Sequence, residues 1–400
     1  MVRNPTGMKF REWVCRLGVP IMGWDSIMYL ITQHHKPNVS VYNLLSRRWD
    51  LVVTDIEDVR FILDNSPSTF GVGSDKKAVF SFFMKQNVGI STPDEWVQRR
   101  ALNAYALHVL PPTDWMTELL ETSKWDSFQS IERDMSRICM RLVFGPKFTD
   151  DTTLIGELQR LMIKGNNFKL TRVDEREYTA YYDAQSSYVS QLCPDNKGSF
   201  VQRALVWEQE NPDQDGCLVE QIPHWMFPIA GAGSNSITKT LILLTSSPTW
   251  QDRCRSSKVW CTRAILETLR LWPTVRSQLR ECMKPVTIGG VDVPKGTQIL
   301  LSNSVLHRPL QSSTAHRFNP ANFLHPEKGV FAPHIVSFNA FGNGPQACPG
   351  RDVATLFSTE VLYFMLQKWT FLSHNKQFLD VDHVLLDINF TNIQFNCVPR

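Results

Sequence analysis

The chain has 400 residues, with 42 basic and 39 acidic side chains and a net charge of +3. Hydrophobic residues make up 42% and charged residues 20%, an ordinary globular balance that can bury a large core and gives no reason to invoke nucleic acid. The nine cysteines are odd in number and include no C-x-x-C pair. Neither a disulfide framework nor a zinc site fits, and a reducing, intracellular setting is the simpler expectation. The sequons at Asn38 and Asn389 therefore carry little weight.

From the start of the chain, Arg3, Lys9, Arg11, Glu12 and Arg16 interrupt the sequence before an apolar run reaches the roughly 20 residues a membrane span needs. No targeting signal or transmembrane anchor is expected, and the expected location is cytoplasmic or peripheral to an intracellular membrane. Without internal repeats or Pro/Gly/Ser-rich linkers, residues 1–400 read as a single domain. Residues 41–55 hold β-type runs on either side of Arg47 and Arg48, a hairpin pattern. Residues 56–64 take helical spacing. Pro93, Asp94 and Glu95 open a helix over 93–109. Over 127–144, Phe128, Ile131, Met135, Ile138, Cys139 and Leu142 form one stripe. Trp225 to Leu244 is uncharged except for Lys239 and interrupted by small residues, which predicts a buried core helix rather than a membrane span.

A helix over 259–271 stops before Pro273. In residues 286–301, Gly289-Gly290 and Pro294-Lys295-Gly296 punctuate short β runs. Past Cys348 the periodicity is helical again through Val353, Phe357, Val361, Phe364 and Met365. The last alternating stretch slips phase at Thr391-Asn392, which predicts a bulge or tight reversal. Helices dominate, with a minor β portion.

The most informative segment runs from Phe341 to Gly350, FGNGPQACPG. Two glycines and a proline shape a tight loop closed by Cys348, which faces the start of a helix. Backbone N–H groups and a positive helix end stabilise a thiolate so placed, and such a thiolate can ligate a heme iron. The segment resembles the heme-binding loop of the cytochrome P450 family, F-x-x-G-x-x-x-C-x-G, with Phe341, Gly344, Cys348 and Gly350 in the fixed positions. Where the family usually carries arginine or histidine, this chain has Gln346, whose amide donates a hydrogen bond but brings no charge.

Three further segments resemble family motifs in family order. Glu267 and Arg270 match the E-x-x-R helix, whose buried ion pair holds the meander before the cysteine loop. The family's third partner, an arginine in F-x-P-E-R-F, is replaced by Asn322 in FNPANF, which leaves the triad two-thirds present. Arg280 stands where a propionate-binding arginine is often found, and Trp96 and Arg100 form a W-x-x-x-R pair implied to contact heme propionates. The Trp225–Leu244 segment resembles the family's central helix, A/G-G-x-D/E-T-T/S. Here Gly233 replaces the acid, and Ser234 or Asn235 takes the place of the threonine. The connector between Leu244 and Val259 is shorter than the family's, which suggests a deletion.

The resemblance implies a mainly α, triangular-prism cytochrome P450 fold with a minor β portion, and heme b with Cys348 as the axial ligand. It implies a monooxygenase that hydroxylates or epoxidises a small apolar organic substrate, with electrons from an NADPH-dependent reductase or a ferredoxin, in secondary-metabolite biosynthesis by analogy. Ser234 and Asn235 are the catalytic candidates. Two alternatives stay open: a peroxide-using or rearranging heme-thiolate enzyme, or a degenerate, non-catalytic relative.

Overall fold

The computed structural model describes residues 38–43, 48–168, 170–192, 198–308, 314–325, 330–331, 338–373, 379–384 and 390–400. The N-terminal segment that bears on anchoring and the sequon at Asn389 lie outside them. The described elements run β1 (Asn38–Asn43), β2 (Arg48–Val53), α1 (Ile56–Asp64), β3 (Phe70–Gly71), α2 (Ser74–Phe80), α3 (Pro93–Leu107), α4 (Trp115–Leu120), α5 (Phe128–Phe144), α6 (Thr153–Asn166), α7 (Glu175–Val189), α8 (Phe200–Glu210) and α9 (Leu218–Phe227). They continue with α10 (Gly233–Thr245), α11 (Pro248–Ser256), α12 (Lys258–Leu271), β4 (Ser277–Cys282), β5 (Val286–Ile288), β6 (Val291–Val293), β7 (Gln298–Ser302), α13 (Asn303–Leu306), β8 (Phe323–His325), β9 (Val330–Phe331), α14 (Arg351–Lys368), β10 (Trp369–Ser373) and β11 (Phe395–Pro399).

By internal packing the chain divides into two units. The first takes residues 1–73, 266–348 and 379–388. Its centre is a mixed sheet in the order β1-β2-β7-β4-β3, in which β2 and β7 are parallel and the other pairs antiparallel. The expected hairpin is present as β1–β2, with Asn38 opposite Val53. Leu51, Val53, Ile299 and Leu301 pack with Ile62 and Leu63 of α1 as one apolar cluster. Asp55 caps α1 by accepting the backbone N–H groups of Glu57 and Asp58. Gly289 and Gly290 both take positive φ, which is what lets two residues join β5 to β6.

The second unit takes residues 74–265, 349–378 and 389–400 and carries most of the helices. The stripe predicted on α5 is buried, from Phe128 and Ile131 to Leu142, and Ser127 caps the helix. The helix predicted over 225–244 differs in form. It starts earlier, as α9, and is interrupted at Pro228–Ala232 by a turn of π-helix before α10 begins. Pro228 has no backbone N–H to give to the preceding turn, so the wider turn forms where a donor is already missing. The phase slip at Thr391-Asn392 is a turn ahead of β11. Among the described residues, no helix is long and apolar enough to cross a membrane.

Candidate heme-thiolate site

In the first unit, the cysteine loop is held by its own backbone. Gly342 and Gly344 have φ of +71° and +68°, which few residues with side chains adopt. Cys348 donates its N–H to the Phe341 carbonyl at 2.8 Å, and Ala347 donates to the Gly344 carbonyl at 3.0 Å. Gly344 is fixed on steric grounds as well. A Cβ there would lie 2.4 Å from the Leu63 carbonyl oxygen, at the end of α1. Phe341 packs edge-on against Phe338, whose ring also meets Phe323 and His307. The Cys348 side chain is exposed, three residues before α14 starts.

Glu267 and Arg270 are both fully buried and pair through two hydrogen bonds of 2.8 Å. The remaining guanidinium donors go to the carbonyls of His307, Ala315 and Arg317 at 3.2, 2.6 and 2.9 Å. All five donors of the arginine are thereby used. Glu267 also accepts the Asn319 N–H at 2.9 Å and the Asn322 side-chain amide at 3.1 Å. The triad that seemed two-thirds present thus has a third member after all: Asn322 fills the arginine's place with a neutral donor. A buried carboxylate needs hydrogen bonds as much as charge, and an amide supplies one.

Arg280 lies on β4 and is almost wholly buried, donating to the Ser66 hydroxyl at 3.2 Å and to the Leu279 carbonyl at 3.0 Å. Among the described residues no carboxylate pairs with it, and burial pulls its pKa down to about 10. Gln346 is half-buried and makes no hydrogen bond to another described residue.

In the second unit, Trp96 and Arg100 are both half-buried on α3. Arg100 is close enough to His224 that its charge, with that of Lys76, adds to burial in holding the imidazole neutral, at a pKa of about 3. Asn103, one turn further along, ties α3 to α9: it accepts from the Trp225 indole at 2.7 Å and donates to Gln221 at 3.1 Å. On the central helix, Ser234 is fully buried and its hydroxyl donates to the Ala230 carbonyl four residues back. Asn235 is half-buried, and its side chain makes no hydrogen bond to a described residue. A Cβ at Gly233 would lie 2.7 Å from the Met135 methyl, whereas one at Gly231 would meet nothing within 4 Å. The place of the family's acid is thus taken by the tip of a methionine, in an apolar cleft also lined by Pro228 and Phe357.

Gly350 caps α14 with an ordinary negative φ, and a Cβ there would meet Leu107 at an unstrained 3.8 Å. The protein by itself does not require glycine at this position.

The family profile for "Cytochrome P450" matches residues 246–392, the stretch that holds Glu267, Arg270, Arg280 and the cysteine loop. Over that stretch the chain is similar to the cytochrome P450 family. Cytochrome P450 734A1 of Arabidopsis thaliana is 31% identical over 176 residues, 38% of this chain and 33% of that protein. Cytochrome P450 734A5 of Oryza sativa subsp. japonica is 28% identical over 176 residues, 39% of this chain and 33% of that protein. The chain therefore spans about a third of the length of the curated relatives it matches. A zebra fish cytochrome P450 solved with abiraterone has the same fold, with a TM-score of 0.75 at 18% identity over 94% of this chain and 99% of that one. The P450 cofactor is a heme whose iron takes a cysteine thiolate.

The residues present fit that group. Cys348 offers an exposed sulfur at the end of a rigid loop, and Arg280 is a buried cation with no carboxylate of its own among the described residues. Gly350 leaves room that the protein does not use. Sequence reasoning missed His307, Asn339 and Met135. Each acts through contacts distant in sequence, and no spacing signals them.

Proposed function

We propose that the chain is a heme-thiolate monooxygenase with Cys348 as the axial ligand, acting on a small apolar organic substrate. The observation that carries the proposal is the cysteine loop itself. Its backbone is held by two positive-φ glycines and by hydrogen bonds to the Phe341 and Gly344 carbonyls, yet its cysteine is left exposed. When bound, the heme would supply the activation of dioxygen, one atom of which enters the substrate.

The chain's own residues would hold and orient that group. Arg280, Trp96 and Arg100 are the proposed propionate partners. Phe341, Gly344, Gln346 and Gly350 would shape the pocket around the sulfur. We take residues 1–400 as one catalytic domain. An NADPH-dependent reductase or a ferredoxin is the proposed electron donor, and secondary metabolism the proposed setting.

A second reading, a peroxide-using or rearranging heme-thiolate enzyme, is favoured by the state of the central helix. Gly233 bears no acid, and the Ser234 hydroxyl spends its proton on the Ala230 carbonyl, so Asn235 is the polar side chain left to order water. The deciding experiment is the reduced, carbon-monoxide difference spectrum of the full chain and of Cys348→Ala. The parent should give a strongly red-shifted band that the variant loses. An unchanged variant, or a parent that takes up no heme under adequate supply, overturns the proposal. Turnover with peroxide but not with NADPH and a reductase selects the second reading.

A further inference from the structure

In the first unit, Asn339 stands two residues before Phe341 and is almost completely buried. Every polar group of this residue is engaged. Its backbone N–H donates to His307 Nε2 at 2.8 Å. Its side-chain amide nitrogen donates to Asn303 Oδ1 at 3.0 Å, and its Oδ1 accepts from Asn343 Nδ2 at 2.8 Å. Its carbonyl accepts from the Gly342 N–H at 3.1 Å and from Gln278 Nε2 at 3.2 Å. One residue therefore joins β4, α13 and two positions of the cysteine loop.

His307 continues the chain of bonds. With Nε2 accepting from Asn339, Nδ1 carries the proton and faces the Arg270 carbonyl at 3.3 Å. The His307 carbonyl in turn accepts from the Arg270 guanidinium. The imidazole is fully buried, and burial together with the Arg270 charge keeps it neutral, so a single tautomer can serve both neighbours. An unbroken path of hydrogen bonds thus runs from Glu267 through Arg270, His307 and Asn339 to Gly342 and Asn343.

We propose that Asn339 and His307 are positioning residues that lock the Cys348 loop to the Glu267–Arg270 pair, and so fix the direction in which the sulfur points. Neither touches the reacting atoms. The inference rests on Cys348 being the heme ligand, but its geometry does not need the heme to be tested. Leucine at position 339 keeps a similarly branched side chain and the backbone bonds but removes the two side-chain hydrogen bonds, to Asn303 and Asn343. Glutamine at position 307 keeps one donor and one acceptor, whereas leucine keeps neither.

The test combines two readouts on the full chain. In hydrogen exchange, Asn339→Leu and His307→Leu should speed exchange of the loop peptide containing Gly342 and Cys348 about fivefold, the factor that corresponds to one net hydrogen bond. The peptide from α5 should not change. In the carbon-monoxide spectrum, the same variants should convert the red-shifted thiolate band into the less shifted band of a neutral thiol, at equal heme content. His307→Gln should restore both readouts toward the parent. Unchanged loop exchange, or equal acceleration of loop and α5 peptides, overturns the proposal. If the parent lacks a thiolate band, the monooxygenase reading fails, and the exchange readout still decides whether the lock exists.

Discussion

Two regions of the molecule lose a charged residue of the family pattern, and they lose it with opposite results. At Glu267 the missing arginine is replaced by Asn322, which still donates to the carboxylate. At Gly233 the missing acid is replaced by empty backbone, and the Met135 methyl moves into the space. The first role was to satisfy a buried carboxylate, and any well-aimed N–H can do that. The second role was to pass a proton, and a thioether cannot. A neutral substitute therefore preserves architecture more readily than it preserves chemistry.

The strongest way to break this comparison is to remove the remaining cation. Arg270→Leu strands Glu267 in a site with no solvent, and about 3–5 kcal/mol of stability should be lost, read as a lower midpoint in urea unfolding. A loss below about 1 kcal/mol would mean that Asn319 and Asn322 suffice alone.

Acid separates the regions next. His307 beside Arg270 and His224 on α9 are both held near a pKa of about 3, against an ordinary 6.5. Below about pH 6.5 the unfolded chain takes up a proton that the folded chain refuses, so stability falls with pH until both forms are protonated near pH 3. At about pH 5 each histidine should cost about 2 kcal/mol. Comparing the pH slopes of His307→Gln and His224→Gln measures each share, and a flat profile in the parent refutes both.

Restoring the acid sharpens the comparison from the other side. Gly233→Asp drives a carboxylate toward Met135 in an apolar cleft, and should cost about 2 kcal/mol without raising reductase-driven turnover. Adding Met135→Ala should recover part of that stability by making room. The smallest effect is expected for Asn322→Ser, which shortens the donor to Glu267 while three other bonds remain. A loss of about 1 kcal/mol is expected in thermal unfolding, with the carbon-monoxide spectrum unchanged.

Much of this was legible in the sequence because it is local. The Pro93 helix start, the helical stripe over 127–144, the Gly289-Gly290 break between β runs and the Phe341–Gly350 loop depend on short-range preferences, and all are present. Glu267 and Arg270 were legible as a pair because one helical turn separates them. The functions of Asn339, His307 and Asn319 depend on residues as far as 32 to 61 positions away, and no periodicity encodes such distances. The π turn was hidden for a different reason: Pro228 signals a disturbance but does not say which way the helix adjusts.

That turn has a consequence for length variation. A π turn holds one more residue than an α turn spanning the same rise. Deleting one residue between Pro228 and Ala232 would let the segment close as regular α-helix while Lys239, Thr240 and the rest of α10 keep their facing. The same deletion inside α10 would rotate everything after it by about 100°. The central helix thus has one place where the chain can shorten by a residue without scrambling its buried face.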